Sequence, residues 1–285
     1  MRHQVLKGAA MEPGGAIYRF VTHDCGEPLT YGLVIDARES SAAQACAGLS
    51  ALAQAANSHP DACAFGKIAV IAREGIFTFQ VTGDNEALPV FCGNSTAAAI
   101  LCIGGSETVV AVHGPAASPY RVSARIEEDR VRQDWSLPQG EIAERDWRGQ
   151  PFVAIGALNE YAILRGNLPD GVSAETAQNE LLGSAPTGKL AVVGENAGGR
   201  IVAFYNSNGR HGAVPQTGMA SIALAARSVG WLDNCFPDKR LTYQTRSGPR
   251  TVQLPAIEAE GDGTVRFAMP AIAVTLSPML EDLAA

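Results

Sequence analysis

The chain has 285 residues, 46% of them hydrophobic and 18% charged, which is typical of a folded globular protein rather than a disordered one. Lysine and arginine together number 22 and aspartate and glutamate 29, so the net charge is −7, and no basic block indicates nucleic-acid binding. No segment has the roughly 18 apolar residues of a membrane-spanning helix, and the N-terminal segment lacks the apolar run of a secretory signal. We therefore expect a cytoplasmic protein that binds neither nucleic acid nor a membrane.

The 30 glycines and 16 prolines predict many tight turns between short elements. Alternating or β-branched segments predict strands, in chain order, at residues 17–21, 31–35, 67–71, 76–81, 109–112, 120–126, 152–155, 190–193, 201–205, 241–244, 251–254 and 265–268. Apolar residues at helical spacing predict helices at 41–56, 94–103, 174–182 and 219–229. Many strands with few helices favour an α+β fold, in which curved and mainly antiparallel sheets each pack around a helix.

The sequence repeats itself once. Residues 62–105 and 184–230 each contain Gly-Lys and an apolar strand, a second strand, a polar loop and an Ala-rich helix. The strand lysines are Lys67 and Lys189, and the helices begin near Cys92 and Thr217.

A repeat of about 120 residues is too long for a solenoid, so we predict two pseudo-symmetric lobes with the functional site in the cleft between them. The N-terminal lobe is predicted at residues 1–130, which residues 266–285 could rejoin, and the C-terminal lobe at 131–265. The charged stretch 127–147 is the predicted boundary.

Cys92, Gly93, Asn94 and Ser95 lie at the predicted start of the first Ala-rich helix. The free amides there favour an anion, which could be the thiolate of Cys92 or a carboxylate or enolate oxygen of a ligand. A buried cysteine before a capped helix remains an equal alternative. Thr217 takes the place of Cys92 in the second copy, so the lobes offer one thiol and one hydroxyl, which disfavours a racemase that uses two thiols.

Lys67 starts an apolar strand, and partial burial there would lower its pKa toward that of a useful base. The alternative is an ordinary solvated lysine at a strand end, which is what we expect of Lys189. His211, in a Gly-rich loop, could polarise a carboxylate or carry a proton, or could simply be exposed. Asn159, Ser207 and Ser247 are further candidate hydrogen-bond donors to a ligand.

Familiar cofactor motifs are missing from the sequence. The six cysteines show no CxxC spacing, and HExxH, GxxxxGK[ST] and GxGxxG after a strand do not occur. We therefore expect a protein that needs neither a metal ion nor an organic cofactor.

The CGN of residues 92–94, the HxAxxxTGM that begins at His211 and the paired lobes resemble the diaminopimelate epimerase fold. Within that fold, the chain is most similar to the 2-methylaconitate cis-trans isomerase and 4-oxalomesaconate tautomerase branch. That branch has a strand lysine, a CGN about 25 residues later, and a segment SxGxxHxAxxxTG, which here runs from Ser207 to Gly218. Asn159 resembles part of the fold's GNPH segment, and Ser247 resembles a late substrate-contacting serine.

The resemblance implies a cofactor-independent 1,3-proton shift on a small unsaturated carboxylic acid. By the same resemblance, Lys67 removes the allylic proton and Cys92 is the nearby acid or assisting group. The helix starts, at Gly93, Asn94 and Ser95 and at Gly218 and Met219, would hold carboxylates and the developing dienolate oxygen. The substrate contacts would be completed by Asn159, Ser207, His211, Thr217 and Ser247.

Two other hypotheses stay open. An amino-acid racemase or epimerase fits the fold and the CGN motif, although Thr217 opposes it. A non-catalytic ligand-binding derivative would fit the loss of the branch's N-terminal GGTSKG motif and of its basic segment near the C-terminus. The sequence does not show the identity of the substrate or whether the protein forms a homodimer.

Overall fold

The computed structural model describes residues 15–24, 27–58, 65–116, 118–183, 185, 187–196, 199–206, 209–212, 214–245 and 248–279. Its contacts divide the chain into two compact units. The first contains residues up to Gln133 together with those from Ala271 onward, and the second is Asp134–Pro270. Within the described ranges, no helix is both long and apolar enough to cross a lipid bilayer.

The strands, in chain order, are β1 Ala16–Asp24, β2 Glu27–Asp36, β3 Lys67–Ala72, β4 Gly75–Val81, β5 Ala87–Pro89, β6 Glu107–His113, β7 Tyr120–Glu127, β8 Arg130–Pro138, β9 Ile142–Trp147, β10 Gln150–Ile155, β11 Tyr161–Arg165, β12 Lys189–Asn196, β13 Gly199–Asn206, β14 Gly209–Arg210, β15 Arg240–Thr245, β16 Gly248–Gln253, β17 Ala256–Glu260, β18 Thr264–Ala268 and β19 Ile272–Pro278. The helices are α1 Ala42–Ala45, α2 Leu49–Asn57, α3 Gly93–Ile103, α4 Ala174–Leu182, α5 Gln216–Ala226 and α6 Gly230–Cys235.

The sheet of the first unit has the strand order β19-β1-β2-β3-β4-β6-β7, with β5 added to β4. Its neighbours pair antiparallel except for β2 with β3 and β4 with β6, which are parallel. Each parallel pair is joined by a connection that contains helix, as parallel strands require. The first connection contains α1 and α2, and the second contains β5 and α3.

The second unit repeats this connectivity. Its sheet has the order β9-β10-β11-β12-β13-β15-β16, with β14 added to β13. The parallel pairs are β11 with β12 and β13 with β15, and their connections contain α4 and α5 respectively. The repeat found in the sequence is therefore also a repeat of topology, in which β3 corresponds to β12 and α3 to α5.

Each unit has one helix buried in its centre. In α3 the residues from Ser95 to Ile100 are all buried, and in α5 all eleven residues are buried, so both helices are surrounded rather than amphipathic. Helix α3 contacts strands β1, β2, β3, β4 and β19 of its own unit. The opposite face of each sheet is covered by an amphipathic helix, α2 in the first unit and α4 in the second.

The predicted helices are present, with two differences. The helix predicted at 41–56 is broken into α1 and α2 at Gly48, whose φ of 75° lies in the left-handed region and cannot continue a helix. The helix predicted at 219–229 begins at Gln216 and ends at Ala226. Pro215, whose angles of −73° and 135° are extended, is the N-cap, and the helix begins at the next residue.

The strand prediction missed several elements. The charged stretch 127–147, taken as a boundary, contains β8 and β9. In β8 the buried residues alternate with exposed ones, so its charged side chains occupy only one face. The prediction also missed five other strands, which are β5, β11, β14, β17 and β19.

Candidate functional site

Lys67 is the first residue of β3 and is only 8% exposed. The side chains of Ile68 and Val70 pack in the cluster that includes α2, and successive strand residues point to opposite faces. Lys67 therefore faces the side of the sheet where α3 lies. Its Nζ donates a hydrogen bond to Oε1 of Gln80, over 2.9 Å.

Burial lowers the pKa of the Lys67 ammonium from its usual range, because removal from water disfavours the charged form. A negative charge at Cys92 acts in the opposite direction and raises the pKa of Lys67 by a smaller amount. A lysine with a lowered pKa carries more of the neutral amine near neutral pH, and only the neutral amine can accept a proton.

Cys92 is the N-cap residue of α3, with extended backbone angles of −134° and 106°. Its carbonyl oxygen accepts hydrogen bonds from the backbone N–H and the hydroxyl of Thr96, both over 2.9 Å. The thiol itself makes no capping hydrogen bond, and the cysteine is buried and not in a disulfide. The backbone of Cys92 therefore starts the helix, and its thiol is not used to cap it.

In the first turn of α3, some polar groups are hydrogen-bonded to other residues and others have no partner among the described residues. Gln133, fully buried, donates from Nε2 to the Gly93 carbonyl over 3.0 Å, and Asn94 donates from Nδ2 to Oγ1 of Thr30 over 2.6 Å. Among the described residues, Asn94 Oδ1 and the buried Ser95 Oγ have no hydrogen-bond partner. The backbone amides of Gly93, Asn94 and Ser95 also lack partners within the helix. This turn is suited to holding an anion or an enolate oxygen.

Lys189 was expected to be solvated, and this expectation is wrong, since only 4% of it is exposed. The reason is the same alternation as in β3. Leu190 and Val192 pack in the cluster that includes α4, so Lys189 faces α5 instead. Its Nζ donates a hydrogen bond to Oγ1 of Thr217, over 3.3 Å.

Thr217 is the second residue of α5 rather than a cap as Cys92 is. Its hydroxyl lies 3.3 Å from the hydroxyl of Tyr161, and the Lys189 Nζ is 5.7 Å from the centre of the Tyr161 ring. Tyr161 was not singled out from the sequence. It pairs with Lys189 across the parallel strands β11 and β12, and β11 itself was not predicted.

Gly218 and Met219 follow in the first turn of α5. A Cβ at Gly218 would lie 2.5 Å from the Phe204 ring, so a side chain cannot fit there without displacement. The Met219 amide already donates to the Pro215 carbonyl over 3.0 Å, and its side chain is buried. The amides of the first turn that remain for a ligand are therefore those before Met219.

The other predicted contacts lie in loops of the second unit. Asn159 is buried, two residues before β11. His211 is half-buried after β14, with its Nε2 3.0 Å from Nδ2 of Asn206. Ser207 and Ser247 lie outside the described residues. In the part of the chain that the structure describes, no group of three or more His, Cys, Asp or Glu side chains is arranged to hold a metal ion.

No protein-family model matches the chain, and no curated protein matches it. Solved structures do. The chain is 16% identical to a predicted epimerase from Pseudomonas aeruginosa, with 94% of this chain and 99% of that chain covered and a TM-score of 0.55. It is 11% identical to a protein assigned to phenazine biosynthesis (PhzC/PhzF) from Clostridium difficile strain 630, covering 93% and 99% with a TM-score of 0.52.

A PhzF-family phenazine biosynthesis protein from Enterococcus faecalis is also 11% identical, covering 93% of this chain and 100% of that chain with a TM-score of 0.51. Likeness over nearly the whole chain at such low identity establishes the fold. The predicted α+β, diaminopimelate epimerase-like fold is thus confirmed. Membership of the 2-methylaconitate isomerase and 4-oxalomesaconate tautomerase branch stays a prediction.

Proposed function

We propose that the protein is a cofactor-independent isomerase that shifts a proton along a small unsaturated carboxylic acid. The observation that carries the proposal is the burial of Lys67 on the face of its sheet where α3 lies, since Cys92 is the N-cap of α3. The lysine is buried with a lowered pKa, and the cysteine is buried at the start of a buried helix. The isomerase-type chemistry also agrees with the printed description of one structural neighbour, the predicted epimerase.

The first step is removal of a proton from the allylic carbon. The neutral amine of Lys67 takes the proton, the C–H bond breaks, and its electrons form a dienolate that extends onto the carboxylate. A carbon acid of this kind is weak, so stabilising the dienolate contributes more than the strength of the base. The free amides of Gly93, Asn94 and Ser95 and the positive end of α3 supply that stabilisation.

The second step is return of a proton to the far end of the dienolate, which moves the double bond by one position. Cys92, buried at the start of α3, is the assisting group, whereas Lys67 carries the proton that leaves carbon. Loss of the thiol should therefore slow the reaction rather than stop it. No redox change occurs, and one proton leaves carbon for each one returned. In D₂O the Lys67 ammonium exchanges with solvent between the two steps, so the atom returned to carbon is deuterium.

Proton NMR in D₂O of the purified protein with a panel of compounds tests the proposal. The panel contains cis- and trans-aconitate, 2-methylaconitate, itaconate, an oxalomesaconate-type keto acid and several L-amino acids. Deuterium entering an allylic position with a shifted double bond supports the isomerase. Exchange at an amino-acid α-carbon would favour the racemase instead. If no compound reacts although some bind, the non-catalytic reading is supported and the proposal fails.

A further inference from the structure

We propose that Gln133 is a positioning residue for the proposed reaction, because it fixes the peptide that joins Gly93 to Asn94 at the start of α3. The backbone amide of Asn94 is one of the donors assigned above to the dienolate oxygen. The role of Gln133 therefore deepens the proposed function and rests on it. In this role Gln133 acts through Asn94 rather than on the reacting acid itself.

Gln133 is a polar residue on a buried strand face. It lies in β8 and is fully buried, and its buried neighbours on the same face, Val131 and Trp135, are apolar. A buried amide costs free energy unless it is hydrogen-bonded, whereas a methionine or leucine in its place would pack without that cost. The amide of Gln133 is therefore explained by the groups that it binds rather than by packing.

The bond from Gln133 is made to an oxygen that the helix already uses. Its Nε2 donates to the carbonyl of Gly93 over 3.0 Å. Gly93 is the first residue of α3, and in an α-helix its carbonyl accepts from the amide four residues later, that of Ala97. A carbonyl oxygen has two lone pairs, so Gln133 is a second donor to it. The bond acts on the orientation and polarity of the peptide rather than on an otherwise unpaired oxygen.

The same peptide carries the amide of Asn94. Because a peptide unit is planar, the oxygen of Gly93 and the N–H of Asn94 point in opposite directions within one rigid plane. A donor that holds the oxygen therefore also fixes the direction of the N–H. It strengthens the N–H as a donor as well, since linked hydrogen bonds polarise one another. This matters at a helix start, because helix ends fray more readily than helix interiors.

Asn94 is also held through its side chain. Its Nδ2 donates to Oγ1 of Thr30 over 2.6 Å. Beside this held residue, two buried oxygens, Asn94 Oδ1 and Ser95 Oγ, have no hydrogen-bond partner among the described residues. The backbone amide of Asn94 has no intrahelical partner either. Donors stabilise a developing charge best when they are already oriented before the reaction, which is what Gln133 and Thr30 provide for Asn94.

Gln133→Met tests this role, because methionine keeps the length of the side chain and removes the donor. Removing a whole oxyanion donor costs about 10²- to 10³-fold in kcat, so a donor that remains but is no longer fixed should cost about tenfold. KM should change little, since the amide acts mainly on the transition state. In ¹H–¹⁵N spectra of the free protein, the Asn94 amide proton should move upfield as its polarisation is lost. Gln133→Asn, which withdraws the amide by one C–C bond, is the second variant and should show both changes.

Gln178→Met is the matched control. Gln178 is also buried and donates from Nε2 to a glycine carbonyl, that of Gly188, over 2.8 Å. It lies in α4, which covers the face of its sheet opposite to α5. Gln178→Met should keep the wild-type kcat and the wild-type Asn94 signal even if its free energy of unfolding falls.

Circular dichroism verifies that each variant is folded. A folded Gln133 variant with the wild-type kcat, or with an unmoved Asn94 amide proton, overturns the role of Gln133. The two possible failures are distinguishable. If the wild type converts no panel compound, the isomerase proposal fails, whereas an unmoved Asn94 amide proton, which is measured without substrate, removes only the role of Gln133.

Discussion

Lys67 and Gln80 lie directly opposite each other in the antiparallel pair β3 and β4, and the lysine Nζ donates to the amide Oε1 over 2.9 Å. Both side chains are buried. Burial lowers the pKa of Lys67. An amide oxygen that accepts from the ammonium favours the charged form and so acts against that shift. The state of the proposed base therefore depends on a neighbour that cannot itself titrate.

Gln80→Leu removes that acceptor and keeps a buried side chain of similar size. The pKa of Lys67 should fall further, so the acid-side decline of kcat/KM should move to lower pH. The pH dependence of kcat/KM, measured with whichever panel compound is converted, provides the test. Gln54→Leu, on the exposed side of α2, is the control and should leave the profile unchanged. A Gln80→Leu profile identical to that of the wild type would show that the hydrogen bond does not influence the base.

The lowered pKa of Lys67 also predicts how stability changes with pH. Between that pKa and about 10.4, the unfolded chain binds more protons than the folded one at this position. The free energy of unfolding must therefore rise with pH over this window through Lys67. In Lys67→Met the contribution is missing, so the wild type should gain stability relative to the variant as pH rises from neutral toward 10. Urea unfolding of both proteins at several pH values measures the difference, and a difference independent of pH would contradict the lowered pKa.

The repeat made part of the site predictable from the sequence. Gly-Lys before an apolar strand and CGN before an Ala-rich helix are local patterns, and Lys67, Cys92 and the start of α3 follow from them. The burial of Lys189 was not predicted because local sequence does not show which face of β12 is covered. Its burial depends on α4 covering one face of the sheet and α5 filling the other.

The unpredicted strands have a similar explanation. Strand β8 contains charged residues that suggested an exposed boundary, yet Val131, Gln133, Trp135 and Leu137 alternate with them and are all buried. One face of the strand packs in the core, and the charged side chains lie on the other face. The position of Tyr161 beside Lys189 depends on the register of β11 with β12, two strands that are separated in sequence by α4. Such pairings are determined by the fold as a whole rather than by neighbours in sequence.

Gly32 holds the strand beside Lys67 close to its neighbours. A Cβ at this position would lie 2.4 Å from a Phe20 ring carbon and 2.5 Å from the backbone oxygen of Lys67. Gly32→Ala should lower the free energy of unfolding by about 1–3 kcal/mol, as overpacking typically does. Gly66→Ala is the matched control, since a Cβ there has no atom within 4 Å. Chemical denaturation measures the free energy of unfolding of both variants. Equal values for Gly32→Ala and Gly66→Ala would show that the strand beside Lys67 has room for a Cβ at Gly32.

Ser95 tests whether the first turn of α3 receives a ligand. Its buried hydroxyl has no partner among the described residues, which costs about 1–3 kcal/mol of folding stability. Ser95→Ala should therefore keep or raise the free energy of unfolding while reducing kcat/KM by about tenfold, the effect of one lost hydrogen bond to the reacting acid.

Ser221→Ala is the matched control for Ser95, because its hydroxyl in α5 is equally buried and has no partner in the described part of the chain. It should gain stability without losing activity. Melting curves and kcat/KM are compared for both variants. Unchanged kcat/KM in Ser95→Ala would remove Ser95 from the ligand contacts.

The most direct test of the central claim compares deuterium incorporation by the wild type, Lys67→Met and Cys92→Ser in D₂O, using a converted panel compound. General-base catalysis typically contributes about 10²- to 10⁴-fold, so Lys67→Met should lose at least that much of the rate of allylic exchange. Cys92→Ser should retain measurable exchange at a reduced rate. Lys239→Met is the control and should match the wild type, since Lys239 is exposed and pairs with Asp233 on the surface. Exchange at the wild-type rate in a folded Lys67→Met protein would contradict the account, because the proton would then be removed by another group.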